Sequence, residues 1–64
     1  MNKKLLRSQM AKYGDTDSTL AAVFGKSQQA ISSKINSRSK FTLDEIQIIM
    51  NRYSLSMDDV HEIF

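Results

Sequence analysis

Thr16–Asn36, TDSTLAAVFGKSQQAISSKIN, reads as two short helices joined by a tight turn at Gly25. The Thr16 hydroxyl can accept a bond from a free backbone N–H where a first helix starts. Leu20, Ala21 and Phe24 then share one helical face. Gly25 ends that helix, because glycine enters the left-handed conformation without a Cβ clash. Ser27 can cap the second helix, in which Ile31 and Ile35 lie four residues apart and share a face.

The spacing is more particular than that of a generic helix pair. Ala21, Gly25 and Ile31 stand as Ala-x3-Gly-x5-Ile. A small residue at 21 lets the second helix approach the first, Gly25 sets the crossing, and Ile31 fills the space between them. This is the geometry of a helix-turn-helix, whose second helix can lie in the major groove of DNA. In these residues the chain resembles the lambda-repressor and Cro family, the XRE-type helix-turn-helix proteins. The resemblance is strong over the two helices and looser over the remainder.

Reading outward, Asn2–Tyr13 predicts a first helix with a Leu6, Met10, Tyr13 stripe, and Gly14 stops it. The motif helices are expected over about Asp17–Phe24 and Gln28–Ile35, with Asn36 as the exit. Thr42 and Glu45 form a Thr-x-x-Glu capping box at the start of a fourth helix, and Phe41 and Ile46 hold the positions of a hydrophobic staple. Its apolar residues Leu43, Ile46, Ile49, Met50 and Tyr53 predict the most buried helix of the set. Ser56 and Asp59 repeat the device for a fifth helix, with Leu55 and Val60 placed as its staple. The expected fold is therefore all-α: five short helices in a compact bundle, one domain over residues 1–64. The resemblance implies the same count.

Composition narrows the function. Sixty-four residues suffice for one small domain. With no Cys and a single His, neither a disulfide nor a metal site is expected. No apolar stretch is long enough for a bilayer, Met1–Met10 lacks the apolar run of a signal peptide, and the lack of Cys fits a reducing cytoplasm, so a cytoplasmic location is expected; the resemblance implies the bacterial nucleoid. Net charge is only +2, but residues 1–40 carry eight bases and two acids, whereas residues 41–64 carry one base and five acids. Acids at helix starts answer the helix dipole. The basic front half is what a module facing phosphate on one side requires.

The resemblance implies where contacts would fall. Residues at the start of the second motif helix reach base edges in the family, and Gln28 and Gln29 stand there, flanked by Ser27 and followed by Ser32 and Ser33. Glutamine can pair in two places with adenine, and serine can bond to either base type. Lys26, Lys34, Asn36, Arg38 and Lys40 flank this helix as phosphate contacts, and Lys3, Lys4 and Arg7 add positive charge from the first helix. The chain departs from the family at two positions. Asp17 replaces a phosphate-gripping glutamine and repels phosphate unless it turns inward to cap its own helix, so that contact is not carried over. Lys34 stands where an apolar residue is usual, with Ile35 taking over the packing and Lys34 left free to point at DNA. Met57, Val60, Ile63 and Phe64 have two readings of equal weight: packing on the first and fourth helices, or a dimer interface of the kind the resemblance implies for the last helix. No catalytic set, Gly-rich phosphate loop, cofactor or small-molecule substrate is expected. The function implied is a sequence-specific regulator that binds double-stranded DNA as a homodimer and acts by occlusion, of phage or prophage type. Two alternatives stand beside it: an interaction module that does not bind DNA, and the DNA-binding domain of a larger regulator.

Overall fold

In the computed structural model, which describes all 64 residues, the chain forms five helices and no strand. They are α1 (Lys3–Lys12), α2 (Asp17–Phe24), α3 (Gln28–Ile35), α4 (Leu43–Arg52) and α5 (Met57–Ile63). Each starts on the same local bond. The side chains of Asn2, Thr16, Ser27, Thr42 and Ser56 accept from the backbone N–H three residues on, which satisfies one of the free donors at each amino end. Both expected capping boxes form, at Thr42/Glu45 and Ser56/Asp59. Asn2 and Tyr13 are caps of α1 and not part of it.

The helix exits also share one device. Gly14, Gly25, Ser37 and Ser54 have φ of 72°, 65°, 62° and 52°. After each, the next N–H reaches back to a carbonyl five residues earlier: Asp15 to Met10, Lys26 to Ala21, Arg38 to Ser33 and Leu55 to Met50. This is the Schellman arrangement, which satisfies carbonyls that the helix itself leaves free. Glycine occupies two of the four left-handed positions without strain. Serine occupies the other two at a cost of about 1 kcal/mol each.

Every helix, or the residue that ends it, contributes to one core: Leu6 and Met10, Leu20 and Ala21, Ile31 and Ile35, Ile49 and Tyr53, then Leu55 and Ile63. Leu6, Leu20, Ile31, Ile35 and Ile49 expose nothing. α2 packs most extensively on α3, and α1 packs on α5. The Asn2 N–H donates to the Ile63 carbonyl at 2.6 Å, tying the start of α1 to the end of α5.

Two expectations are corrected here. Leu43 is 85% exposed and does not belong to the buried face of α4. Its inward row is Glu45, Ile49 and Tyr53, so α4 is not the most buried helix. Tyr13, expected on the α1 stripe, is 46% exposed, with its ring stacked on Tyr53 at 5.1 Å and its hydroxyl donating to the Tyr53 carbonyl.

A Cβ at Gly25 would meet no atom within 4 Å, so φ alone makes glycine necessary there, not a close helix approach. Gly25→Ala is therefore expected to cost about 1–2 kcal/mol without disturbing the packing. Ser54→Gly, at φ 52°, is expected to gain up to about 1 kcal/mol. Thermal unfolding should show opposite Tm shifts of several degrees. A stable Gly25→Ala protein would remove the left-handed turn as a constraint.

Candidate nucleic-acid interface

The roll of α3 is set by Ile31 and Ile35, both fully buried. At 3.6 residues per turn, Gln29 and Ser33 face away from them, while Gln28 and Ser32 lie one turn apart on the α2 flank. Ser27, Gln28 and Gln29 are exposed, and Ser32 and Ser33 are partly exposed. The Ser27 Oγ accepts from the Ala30 N–H at 3.2 Å, which leaves its own proton free for another partner. No intramolecular side-chain bond holds either glutamine. Two amide groups, each able to donate and accept, thus extend from the amino end of the helix.

The flanks of α3 are held by carboxylates. On the α2 side, Asp17 accepts from Arg7 at 2.5 and 3.5 Å and from the Ser32 hydroxyl at 2.6 Å. One acid therefore joins α1, α2 and α3. Burial would raise the Asp17 pKa, but Arg7 and Ser32 outweigh it, and the group is held below the usual carboxylate range. Asp17 does turn inward, although Thr16 caps α2 and Asp17 bonds to the neighbouring helices instead.

On the opposite flank stands Glu45, 4% exposed. Its Oε1 accepts from Lys34 Nζ at 2.5 Å and from the Thr42 N–H at 2.8 Å, and Lys26 Nζ lies 3.0 Å from Oε2. Burial opposes ionisation here too. Lys34, the Thr42 N–H and Lys26 prevail, lowering the pKa to about 2. Glu45 in turn raises the pKa of Lys26. The expectation that Lys34 is free to point at DNA is therefore corrected. Its side chain is 12% exposed and its ammonium is tied to α4. Lys26 is also paired, but with its side chain 44% exposed it still reaches solvent.

Arg38 and Lys40, in the loop after α3, are exposed and have no carboxylate within salt-bridge distance, and Asn36 is exposed beside them. Lys3 and Lys4 are likewise exposed and unpaired, whereas Arg7 is held by Asp17. Of the five expected phosphate residues, Asn36, Arg38 and Lys40 are thus unencumbered and Lys26 partly so. At the carboxyl end of the chain the expected dimer residues divide. Ile63 is 3% exposed inside its own core, and Phe64 is half-buried with its ring edge-on to Phe41 at 5.7 Å. Val60 is half-buried, and Met57 is 60% exposed. The apolar excess of α5 mostly closes the chain's own core.

A third clamp escaped the sequence reading. Asp15, just before α2, accepts from Arg52 at 2.7 and 2.8 Å and from the Tyr53 hydroxyl at 2.6 Å. The Arg52 bond holds its pKa low against burial. Burial and the neighbouring Asp15 anion push the Tyr53 phenol up. No spacing rule reveals this contact, which spans 37 residues between Asp15 and Arg52.

No family model matches the chain, and no curated protein or solved structure matches it significantly.

The clamps make stability depend on acid. A carboxyl whose folded pKa lies below its ordinary value stabilises the fold fully above that ordinary value and loses its contribution as pH falls through the folded one. For Glu45 the window runs from about 4.5 down to about 2. Asp15 and Asp17 act in the same direction. Stability is expected to fall steeply across this range, and Glu45→Gln should flatten the slope. Glu45→Ala, which leaves the 12%-exposed Lys34 unpaired, should cost about 3 kcal/mol at neutral pH. Denaturant titrations between pH 2 and 7 measure both effects.

Proposed function

We propose that this chain is a sequence-specific regulator that binds double-stranded DNA, a lambda-repressor-like helix-turn-helix protein with α2 and α3 as the motif and α3 laid in the major groove. One observation carries the reading. The residues that resemble the family's base-contacting positions, Gln28 and Gln29, are exposed at the amino end of a helix, Gln29 on the face opposite the buried Ile31 and Ile35 and Gln28 on its flank. A glutamine amide can bond simultaneously to adenine N6 and N7. Arg38 and Lys40 follow on the same helix–loop unit as phosphate contacts, and Lys26 adds a third where its ammonium exchanges Glu45 for phosphate. Arg7 neutralises Asp17, which removes the repulsion a bare carboxylate would present. Binding as a homodimer to a two-fold operator follows from the family resemblance, with half-sites one helical turn, ~34 Å, apart. Met57, Val60 and the terminal Phe64 are the residues left with surface for such a contact. Occupancy of the operator would occlude other proteins.

A second reading has its own observation. Met1, Phe41, Ile46 and Phe64, together with Lys34, Lys40 and two serines of the loop after α3, line an open groove of about 450 Å³. An interaction module that does not bind DNA would use this groove.

Site selection from random DNA followed by binding measurements separates the two. Gln28→Ala and Gln29→Ala should each weaken the selected site by about 1–3 kcal/mol while leaving unfolding unchanged. With Arg38 and Lys40 neutralising about four phosphates per dimer, log K should fall against log salt with a slope of about −3 to −5. Failure to select any site, or a flat salt dependence, would favour the groove.

A further inference from the structure

Within the DNA-binding reading, on which this inference rests, Ser32 is chemically narrower than a serine on a helix surface usually is. A free serine hydroxyl rotates, donating to an acceptor or accepting from a donor as the partner requires. Ser32 lacks that freedom. Its Oγ lies 2.6 Å from Asp17 Oδ2, and an ionised carboxylate only accepts. The proton on Oγ must therefore point at Asp17. Arg7, bonded to the same carboxylate through Nη1 and Nη2, holds the acceptor in place and in its charged form. No other hydrogen bond reaches the Ser32 oxygen, and the residue is partly exposed, one turn beyond Gln28 on the same flank. The lone pairs of that oxygen are left without a donor from the chain itself.

We infer that Ser32 is a specificity-determining residue that reads only hydrogen-bond donors, and so selects a base bearing an exocyclic amine, adenine or cytosine, at the position it meets. In the major groove adenine N6 and cytosine N4 donate, whereas guanine O6 and N7 and thymine O4 only accept. An oxygen whose proton is held by Asp17 bonds to the first pair and repels the second. Asp17, which stands where the resembled family grips a phosphate, acts here as a positioning residue. It sets the direction of the Ser32 proton and has no contact with DNA of its own.

The test is site selection from random duplexes with wild type, Ser32→Ala and Asp17→Ala, followed by affinities for all four base pairs at each position of the selected site. Wild type should show one position where adenine or cytosine is preferred about three- to ten-fold over guanine and thymine, the range of a single hydrogen bond. Ser32→Ala should erase the preference at that position and leave the glutamine-read positions intact. Asp17→Ala releases the Ser32 proton and should admit guanine or thymine there. Arg7 is then left on a partly exposed site, so thermal unfolding is followed in parallel. If Asp17→Ala fails to fold, the Ser32→Ala arm decides alone. Unchanged discrimination at every position in Ser32→Ala, or a lost preference that was for guanine or thymine, overturns the inference while leaving DNA binding standing. Failure of the wild type to select any site removes the DNA-binding reading, and this inference with it.

Discussion

Burial of Ile31 and Ile35, with no accessible surface left on either, fixes the roll of α3 about its own axis. A helix eight residues long has little else to hold it, since isolated helices of this length are marginal in water. Once those two side chains are inside, the direction of every other residue on α3 follows from the helical repeat. Gln29 and Ser33 must point outward, Ser32 must meet α2, and Lys34 must meet the start of α4. The polar bonds then act as stops on either side of an orientation that apolar packing has already chosen.

Those stops are unusual in using charge near the core of so small a domain. Glu45 is almost wholly buried, and its two oxygens engage two lysines and a backbone N–H. Asp17 and Asp15 are each gripped by an arginine and a hydroxyl. A buried ion pair is often no more stabilising than apolar residues of equal volume, but removing one partner is costly. Its value here lies in direction. Glu45 and Asp17 hold opposite flanks of α3, and Asp15 ties the segment before α2 to the end of α4. The same bonds explain why a basic front half does not translate into an equally basic surface. Arg7, Lys26 and Lys34 have internal counter-charges, and the freely presented positive charge beside α3 is that of Arg38 and Lys40.

Much of this was legible in the amino-acid order. The caps at Thr16, Ser27, Thr42 and Ser56, the turn at Gly25 and the inward Ile31 and Ile35 are local signals, and local signals survive folding. What the residues concealed was tertiary. Ser37 and Ser54 enter the left-handed region although nothing in serine announces it, because the Schellman bonds of their turns require it. Leu43 looked buried by type, yet the row Glu45, Ile49, Tyr53 shows that the inward face of α4 runs through an acid. That periodicity was available, but hydrophobicity outweighed it. Lys34 looked free because its partner lies eleven residues on in another helix. For Ile63 the residue order left core and interface equally open, and the packing of the first helix against the last decides for the core.

The central claim is that the outward face of α3, with the loop behind it, is the surface that meets DNA. Backbone and side-chain amide NMR shifts of the isotopically labelled protein, followed during titration with short duplexes at low salt, test it most directly. The account predicts changes concentrated at Gln28, Gln29, Ser32, Ser33, Asn36, Arg38 and Lys40, including the side-chain amides of both glutamines, with changes in α5 confined to the dimer contact at Met57 and Val60. Changes centred on Phe41, Ile46 and Phe64, or none at any duplex concentration, would contradict it.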